Sequence, residues 1–253
     1  MKPTTTFKCL ICAQAAPLYD VVDFNKSCEE NNGHFLPLSG HAVYYARCSN
    51  CQYIFAPEFG SWTDQDFLDK IYNADYVKVD PDYRFARQQE NAGLLNNLFG
   101  PYRMYLRHLD YGGGNGILAQ LLSGAEWQSV SYDPFPKNNV RLPEIGRFNL
   151  ITAFEVFEHV PDPHALMDNI CKLLDGEESM VFFSTGVSDG KVKHNGRLDW
   201  WYVAPRNGHI GIYSTKSLRI LGQAFGLQYG SLGTSFHAYF RKLPPWAENL
   251  TKI

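Results

Sequence analysis

Long apolar runs are missing from this chain. No stretch reaches the ~18 residues that a membrane-spanning helix needs, and Met1-Lys-Pro-Thr-Thr-Thr6 lacks the apolar centre of a secretion signal. The expectation is a soluble cytoplasmic protein with no membrane partner. Basic clusters are missing too: 23 Lys and Arg against 26 Asp and Glu leave a net charge of −3, with no local excess of positive charge. A broad phosphate-neutralising face is therefore not available, which counts against nucleic acid as substrate or partner. What the chain does have is 45% apolar residues over 253 positions, enough to bury a full core.

One glycine is missing where it would matter. Asp110-Tyr-Gly112-Gly-Gly114-Asn-Gly116 follows the apolar run Tyr105 to Leu109 and precedes Ile117-Leu-Ala-Gln-Leu-Leu122, a strand, a glycine turn and a helix. Alternating glycines allow positive φ and close approach of backbone to a ligand, and the helix start offers unpaired N–H groups. A dinucleotide fingerprint would need a third glycine three residues after Gly114, where Ile117 stands, so the pyrophosphate version fails.

Further acids follow at strand ends. Gly124 closes the helix, and Ser129-Val-Ser-Tyr132 reads as a short strand ending in Asp133. A carboxylate there can accept both hydroxyls of a ribose; the competing reading is an Asp-Pro turn starter. The next segment, Pro136 to Leu142, lacks an acid for an adenine amine, leaving Asn138 or Asn139 as substitutes. Phe148 to Phe154 is a strand buried on both faces, running into Glu155-Val-Phe-Glu158-His159-Val-Pro-Asp162-Pro163, where Asp162 and Pro163 start a helix. Met180 to Ser184 is another buried strand. Ser214 caps a helix stopped by Gly226, and runs at Leu227 to Leu232 and Phe236 to Arg241 flank Gly233 as a hairpin. The fold class is α/β, a mostly parallel sheet with helices on both faces and an antiparallel last strand. Asp110, Asp133 and Glu155 fall at the carboxyl ends of strands, where such sheets bind ligands.

The acid-x-Gly-x-Gly-x-Gly turn and the phrase Phe154-Glu-Val-Phe-Glu-His-Val-Pro-Asp-Pro163 resemble the corresponding motifs of class I S-adenosylmethionine (SAM) methyltransferases. The resemblance implies a Rossmann-like domain over 101–253, with SAM as cofactor and S-adenosylhomocysteine (SAH) as product. It implies that Gly112, Gly114 and Gly116 lie beneath the aminoacyl part, that Asp110 helps hold the ammonium, that Asp133 meets the ribose and that Glu155 lines the site. In related enzymes an aromatic segment closes over the cofactor. Here that is Trp62 to Arg84, with Tyr76 as the tyrosine meeting the aminoacyl end; the alternative is a linker whose tyrosines pack on the domain below.

The first hundred residues hold four of the six cysteines as Cys9-Leu-Ile-Cys12 and Cys48-Ser-Asn-Cys51. Two such pairs bring four thiolates to a tetrahedral point suited to structural Zn²⁺, with no open position for chemistry. Disulfides would need an oxidising compartment, and a redox motif would need a helix opening at the pair. Cys28, His34 and His41 are expected to be an ordinary thiol and surface histidines, and Cys171 a small core residue. The expected division is 1–62 zinc-ribbon-like, 63–100 aromatic linker and helix, 101–253 cofactor domain. The arrangement resembles sugar methyltransferases whose cysteine pairs precede the SAM domain, although their Tyr-His-Glu-His stretch is Pro205-Arg-Asn-Gly-His209 here.

For a hydroxyl acceptor the chemistry needs alignment and a base. His209, in a glycine-flanked loop, is the first candidate and His159 the second. Glu155, Glu158 and His159 match a Glu-x-x-Glu-His pattern with which ubiquinone-pathway and small-RNA methyltransferases hold a divalent ion, implying Mg²⁺ or Mn²⁺ there; in metal-free relatives the same acids cap the helix or line the pocket. Trp200-Trp201-Tyr202 is read as acceptor-pocket wall or as core. The expected function is methyl transfer to a small polar acceptor, a nucleotide-linked or glycan sugar. The alternatives are an RNA or protein methyltransferase docking through its zinc module, and a SAM-binding scaffold or sensor without turnover.

Overall fold

The computed structural model describes residues 5–83, 85–134, 145–193 and 196–252. Asn138 and Asn139, the adenine candidates, lie outside these residues. In chain order the strands are β1 (Thr6–Lys8), β2 (Ala15–Asp23), β3 (Ala42–Arg47), β4 (Ile54–Phe55), β5 (Arg107–Tyr111), β6 (Gln128–Tyr132), β7 (Leu150–Phe154), β8 (Met180–Ser184), β9 (Gly211–Ile212), β10 (Gln228–Leu232) and β11 (Phe236–Phe240). The helices are α1 (Asp64–Lys70), α2 (Ala86–Phe99), α3 (Ile117–Gly124), α4 (Pro163–Leu173) and α5 (Thr215–Ala224). Among the described residues no helix is long and apolar enough to cross a membrane.

The chain forms two compact units, neither continuous in sequence. The first takes the chain up to Pro81, Phe157–His164 and Gly186–Leu221; the second takes Asp82–Val156, Ala165–Thr185 and the chain from Gly222. In the first, an antiparallel sheet runs β1-β2-β3-β4-β9. Its last strand, Ile212 opposite Ile54 and Gly211 opposite Phe55, comes from far along the chain. Burial alternates at the start of β3, where Val43 and Tyr45 are inside and Ala42 and Tyr44 outside, as a one-sided sheet requires. Helix α1 begins with a capping box: Asp66 N–H donates to Thr63 Oγ1 at 3.2 Å and Thr63 N–H returns to Asp66 Oδ2 at 2.9 Å, so two end donors are satisfied. Trp62 sits between Phe59 and Phe67, with centroids at 4.5 and 5.3 Å.

The second unit carries a six-stranded sheet, β10-β11-β8-β7-β5-β6. The β5, β6, β7 and β8 pairings are parallel, while β11 is antiparallel to β8 and to β10. This is the mostly parallel α/β sheet with an antiparallel end that the sequence pattern implies. Strand β8 is buried throughout and β7 in all but its last residue, because helices cover such strands on both faces. Leu95 and Phe99 of α2, Leu118 and Leu122 of α3, and Leu150 and Phe182 of the strands form one core cluster. Each large side chain fully buried there contributes about 2–3 kcal/mol relative to exposure. The first strand is displaced from its apolar run: Tyr105 ends a 3₁₀ turn and is exposed, and β5 instead carries Asp110 and Tyr111 inside the strand.

Candidate functional site

In the second unit β5 delivers its chain into a turn in which Gly112, Gly114 and Gly116 all have positive φ, at 76°, 55° and 74°. Gly112 and Gly113 N–H both donate to Tyr132 O, at 2.8 and 3.3 Å, which ties the turn to the end of β6. Close packing as well as φ demands glycine here. A Cβ on Gly112 would stand 2.6 Å from Val156 Cγ2, and one on Gly113 would stand 2.2 Å from both Asp110 Oδ2 and Ser131 Oγ. Gly113, which the alternating pattern passes over, is thus the most confined of the four.

Beneath the turn Asp110 is 3% exposed, and its Oδ2 has no hydrogen-bond partner among the described residues. Burial pushes its carboxyl up to about 7; Thr152, at 3.4 Å from Oδ1, pulls the other way, and the charge of Asp133 adds to the rise. Thr152 continues to His108 Nε2 at 2.9 Å, and His108 Nδ1 reaches Ser129 Oγ at 2.7 Å. Burial drives that histidine down to about 3, so it is neutral in the fold. A buried carboxylate oxygen without a partner calls for a cation or a donor.

Asp133 follows β6 and accepts from Gly114 N–H through Oδ2 at 2.7 Å. Glu155 follows β7 with φ at 51°, uncommon for a residue with a side chain. Ser184 clamps it twice: Glu155 N–H donates to Ser184 Oγ at 2.9 Å, and that hydroxyl donates to Glu155 Oε1 at 2.7 Å. The acids at the ends of β5, β6 and β7 and the glycine turn therefore lie in one unit. They suit a zwitterionic nucleoside: a carboxylate awaiting a cation, an acceptor-only carboxylate for hydroxyls and a backbone bared by glycine.

The first unit places its cysteines in two equivalent turns, between β1 and β2 and between β3 and β4. In each, the residue after the second cysteine has positive φ, Ala13 at 60° and Gln52 at 65°. Each of those residues donates its N–H to the first cysteine's carbonyl, at 3.0 and 3.1 Å. Sγ–Sγ distances are 3.5 Å for Cys9–Cys51 and 3.4 Å for Cys12–Cys48, and one sulfur from each of the four lies within 4.8 Å of the rest. A tetrahedron with Zn–S of ~2.3 Å has edges of ~3.8 Å, so the set fits zinc with slight expansion. Ile11 N–H on Cys9 Sγ and Cys51 N–H on Cys48 Sγ, both at 3.4 Å, are donors that favour thiolates.

The same unit assembles a second cluster. Glu158 and His159 lie in a 3₁₀ turn and His209 precedes β9; one ligand atom from each falls within 4.8 Å of the others. Glu155, expected beside Glu158 and His159 around Mg²⁺, belongs to the second unit, and the third member of this cluster is His209. Tyr202 holds two members, its hydroxyl donating to Glu158 Oε1 at 2.5 Å and its carbonyl receiving His209 Nδ1–H at 2.8 Å. Tyr72 Oη meets His159 Nδ1 at 3.1 Å. Cys28 Sγ, expected to be an ordinary thiol, is 3.9 Å from His209 Nδ1.

Tyr76, the expected cofactor tyrosine, is in this unit; its hydroxyl lies 3.4 Å from Asn207 O and 3.5 Å from Asp80 Oδ2. Trp200 stacks on Tyr202 at 5.1 Å, and Trp201 is partly exposed. His34 and His41 are surface residues paired with Glu29 and Glu58. Tyr72, Tyr202 and Ser184 were not singled out from sequence for these contacts; only the Tyr-rich composition around 72 carried any signal.

Residues 83–232 match the family model described as a methyltransferase domain. The ubiquinone biosynthesis O-methyltransferase of Glaesserella parasuis is 30% identical over 118 residues, 36% of this chain and 47% of that protein. The protein of the same name from Bordetella pertussis is 28% identical over 120 residues, 38% and 46%. The chain spans just under half the length of these curated relatives. Among solved structures, magnesium protoporphyrin IX methyltransferase of Synechocystis PCC 6803 with bound SAH is 15% identical with a TM-score of 0.44, over 74% of this chain and 98% of that one.

Proposed function

The chain belongs to the methyltransferase-domain family, and from that premise we propose that it transfers the methyl group of SAM to a hydroxyl of a small polar acceptor, in the class of nucleotide-linked or glycan sugars. The observation that carries cofactor binding is the buried Asp110, with one carboxylate oxygen unpartnered among the described residues, beneath a glycine turn in which a Cβ on Gly112 or Gly113 would clash. Bound SAM supplies an electrophilic methyl on a sulfonium. Asp110 balances the ammonium, Asp133 exchanges its Gly114 bond for ribose hydroxyls, and Glu155 is kept in place by Ser184. His209 and His159 are the groups for the acceptor proton. Because a carbonyl only accepts, the contact to Tyr202 O puts the proton of His209 on Nδ1 and leaves Nε2 with the lone pair.

Support for an oxygen acceptor comes from the curated relatives, which are named O-methyltransferases. Support for a sugar comes from the two cysteine turns, which we assign to structural zinc as in the sugar methyltransferases this arrangement resembles, and from Trp201, an exposed indole packed edge-on against Tyr202 and suited to the apolar face of a sugar ring. The test is calorimetric titration of the full chain with SAH, followed by incubation with SAM and a panel of nucleotide sugars read by mass spectrometry. Micromolar SAH binding that Asp133→Ala weakens about 10- to 100-fold, and a gain of CH₂ on a sugar, are expected. No SAH binding by the folded protein would overturn the cofactor reading. Binding with transfer only to RNA or protein would overturn the acceptor class.

A further inference from the structure

Strand β1 lies at the end of the first unit's sheet and has one edge open. Cys9 N–H donates to Gln14 O at 2.9 Å and Leu18 N–H to Thr5 O at 3.1 Å, with Phe7 opposite Ala16 between them. Backbone groups of successive residues in an antiparallel strand face opposite sides, so the N–H and C=O of Thr6 and Lys8 point away from β2. No described residue pairs with them. Such an edge is a template for a further strand.

Beside the edge lies a pocket of about 150 Å³ to which Phe7 and Lys8 contribute. Its apolar floor comes from Tyr53, Phe55 and Ile210, all almost completely buried. An apolar cavity of this volume admits a guest as large as benzene, and so a single branched or aromatic side chain. Pro57 and Pro161, also in the lining, carry no N–H, and Ala56 N–H is already given to Ile210 O at 2.9 Å. Backbone pairing for a guest is therefore offered by β1. Lys8 is exposed and takes part in none of the ion pairs among the described residues.

We propose that the β1 edge and this pocket dock an extended segment of another protein, added antiparallel to β1, with a Val, Ile or Leu opposite Phe7 and an acid immediately before it. The residue opposite Phe7 projects to the same face as Phe7 and fills the pocket. Its predecessor stands opposite Lys8, where a carboxylate meets the ammonium. In this kind of strand addition main-chain bonds give affinity and the pocket gives specificity. A second copy of the chain is the poorer occupant, because its own Thr6-Phe-Lys8 edge brings a lysine and no acid. The site lies wholly in the first unit and is independent of the methyl-transfer reading.

The full chain is titrated into fluorescein-labelled Gly-Ser-Glu-Val-Thr-Ser-Gly amide and followed by anisotropy. Saturable binding is expected, and the same peptide with Ala for Val binds about tenfold more weakly through lost burial. Lys8→Glu weakens the Glu-Val-Thr peptide and prefers its Lys-Val-Thr counterpart, a reversal that loss of fold would not produce. Thr6→Pro removes an outward N–H, leaves the bonds to β2 in place and weakens binding about 3- to 10-fold. Gly60 lines the pocket and a Cβ on it meets no atom within 4 Å, so Gly60→Leu is accommodated and competes for the space. Parent-like circular dichroism shows that each variant is folded. No saturable binding by the folded parent, equal binding of the alanine peptide, or indifference to Lys8→Glu overturns the proposal. So does a sedimenting dimer that Thr6→Pro dissociates, because the edge then belongs to a second copy.

Discussion

Replacing Asp110 by Asn isolates a titration that the fold itself opposes. The carboxyl ordinarily ionises at 3.8 and is raised to about 7 by burial. Between these values the native chain keeps a proton that the unfolded chain has released, so ionisation favours unfolding, and the contribution of Asp110 to stability falls as pH rises through this window. Roughly three pH units at 1.36 kcal/mol each amount to about 4 kcal/mol. Its neighbour works in the opposite sense. His108 is lowered from 6.5 to about 3 by burial, so in the same region the unfolded chain takes up a proton that the native one refuses, and stability from this group rises with pH up to about 6.5. The two slopes offset each other in the parent protein between about pH 4 and 6.5.

Asp110→Asn removes one of them. The variant should then gain stability at about 1.4 kcal/mol per pH unit relative to the parent, from pH 4 up to about 7, after which the difference levels. An amide nitrogen placed where Oδ2 lies costs about 1–3 kcal/mol unless Ser131 Oγ accepts from it, and that cost is independent of pH. Urea denaturation followed by circular dichroism at half-unit intervals from pH 4 to 8, without ligand, measures the difference curve. In parallel, SAH affinity of the parent should rise about tenfold per unit up to pH 7, because a cation needs the ionised carboxylate, while the variant binds weakly at every pH. Difference curves that stay flat across pH 4 to 7 would refute the buried-acid argument whatever the absolute stabilities.

Substituting the glycine turn separates confinement from backbone conformation. Gly113→Ala meets two oxygens at 2.2 Å and should cost more than about 2 kcal/mol with loss of SAH binding, whereas Gly114→Ala has no atom within 4 Å of its new Cβ and pays about 1–2 kcal/mol for φ at 55° alone; thermal denaturation ranks the pair. Zinc analysis should find one ion per chain released only by denaturation or thiol modification, and Cys48→Ser should lose it together with the structure of the first unit, seen as collapsed hydrogen-exchange protection over β1 to β4. Full protection in the metal-free variant would show that the thiols only pack.

The parts that were legible in the residues share a physical cause. Strands β7 and β8 are buried on both faces, so nothing but an unbroken apolar run could occupy them, and the helix at Pro163 announces itself because a cap and a proline have nowhere else to go. The two cysteine turns are local motifs, complete within a few residues each. Strand β9 had no such signature: Gly211 and Ile212 are two residues, and they become a strand only because β4 leaves its edge open to them. Strand β5 was placed two residues early, since the reading followed hydrophobicity and could not foresee that a carboxylate would be carried inside the sheet. The Glu-x-x-Glu-His pattern raises a sharper point. Spacing along the chain makes Glu155, Glu158 and His159 look like one ligand set, but a left-handed φ at Glu155 and the Ser184 clamp commit that acid to the second unit. The side chain that does converge with Glu158 and His159 is His209, fifty residues beyond His159 and tied to Glu158 by the backbone bond from Ile210. A motif records which residues are neighbours in sequence; which side chains come together depends on one torsion and on a strand too short to be read from the residues.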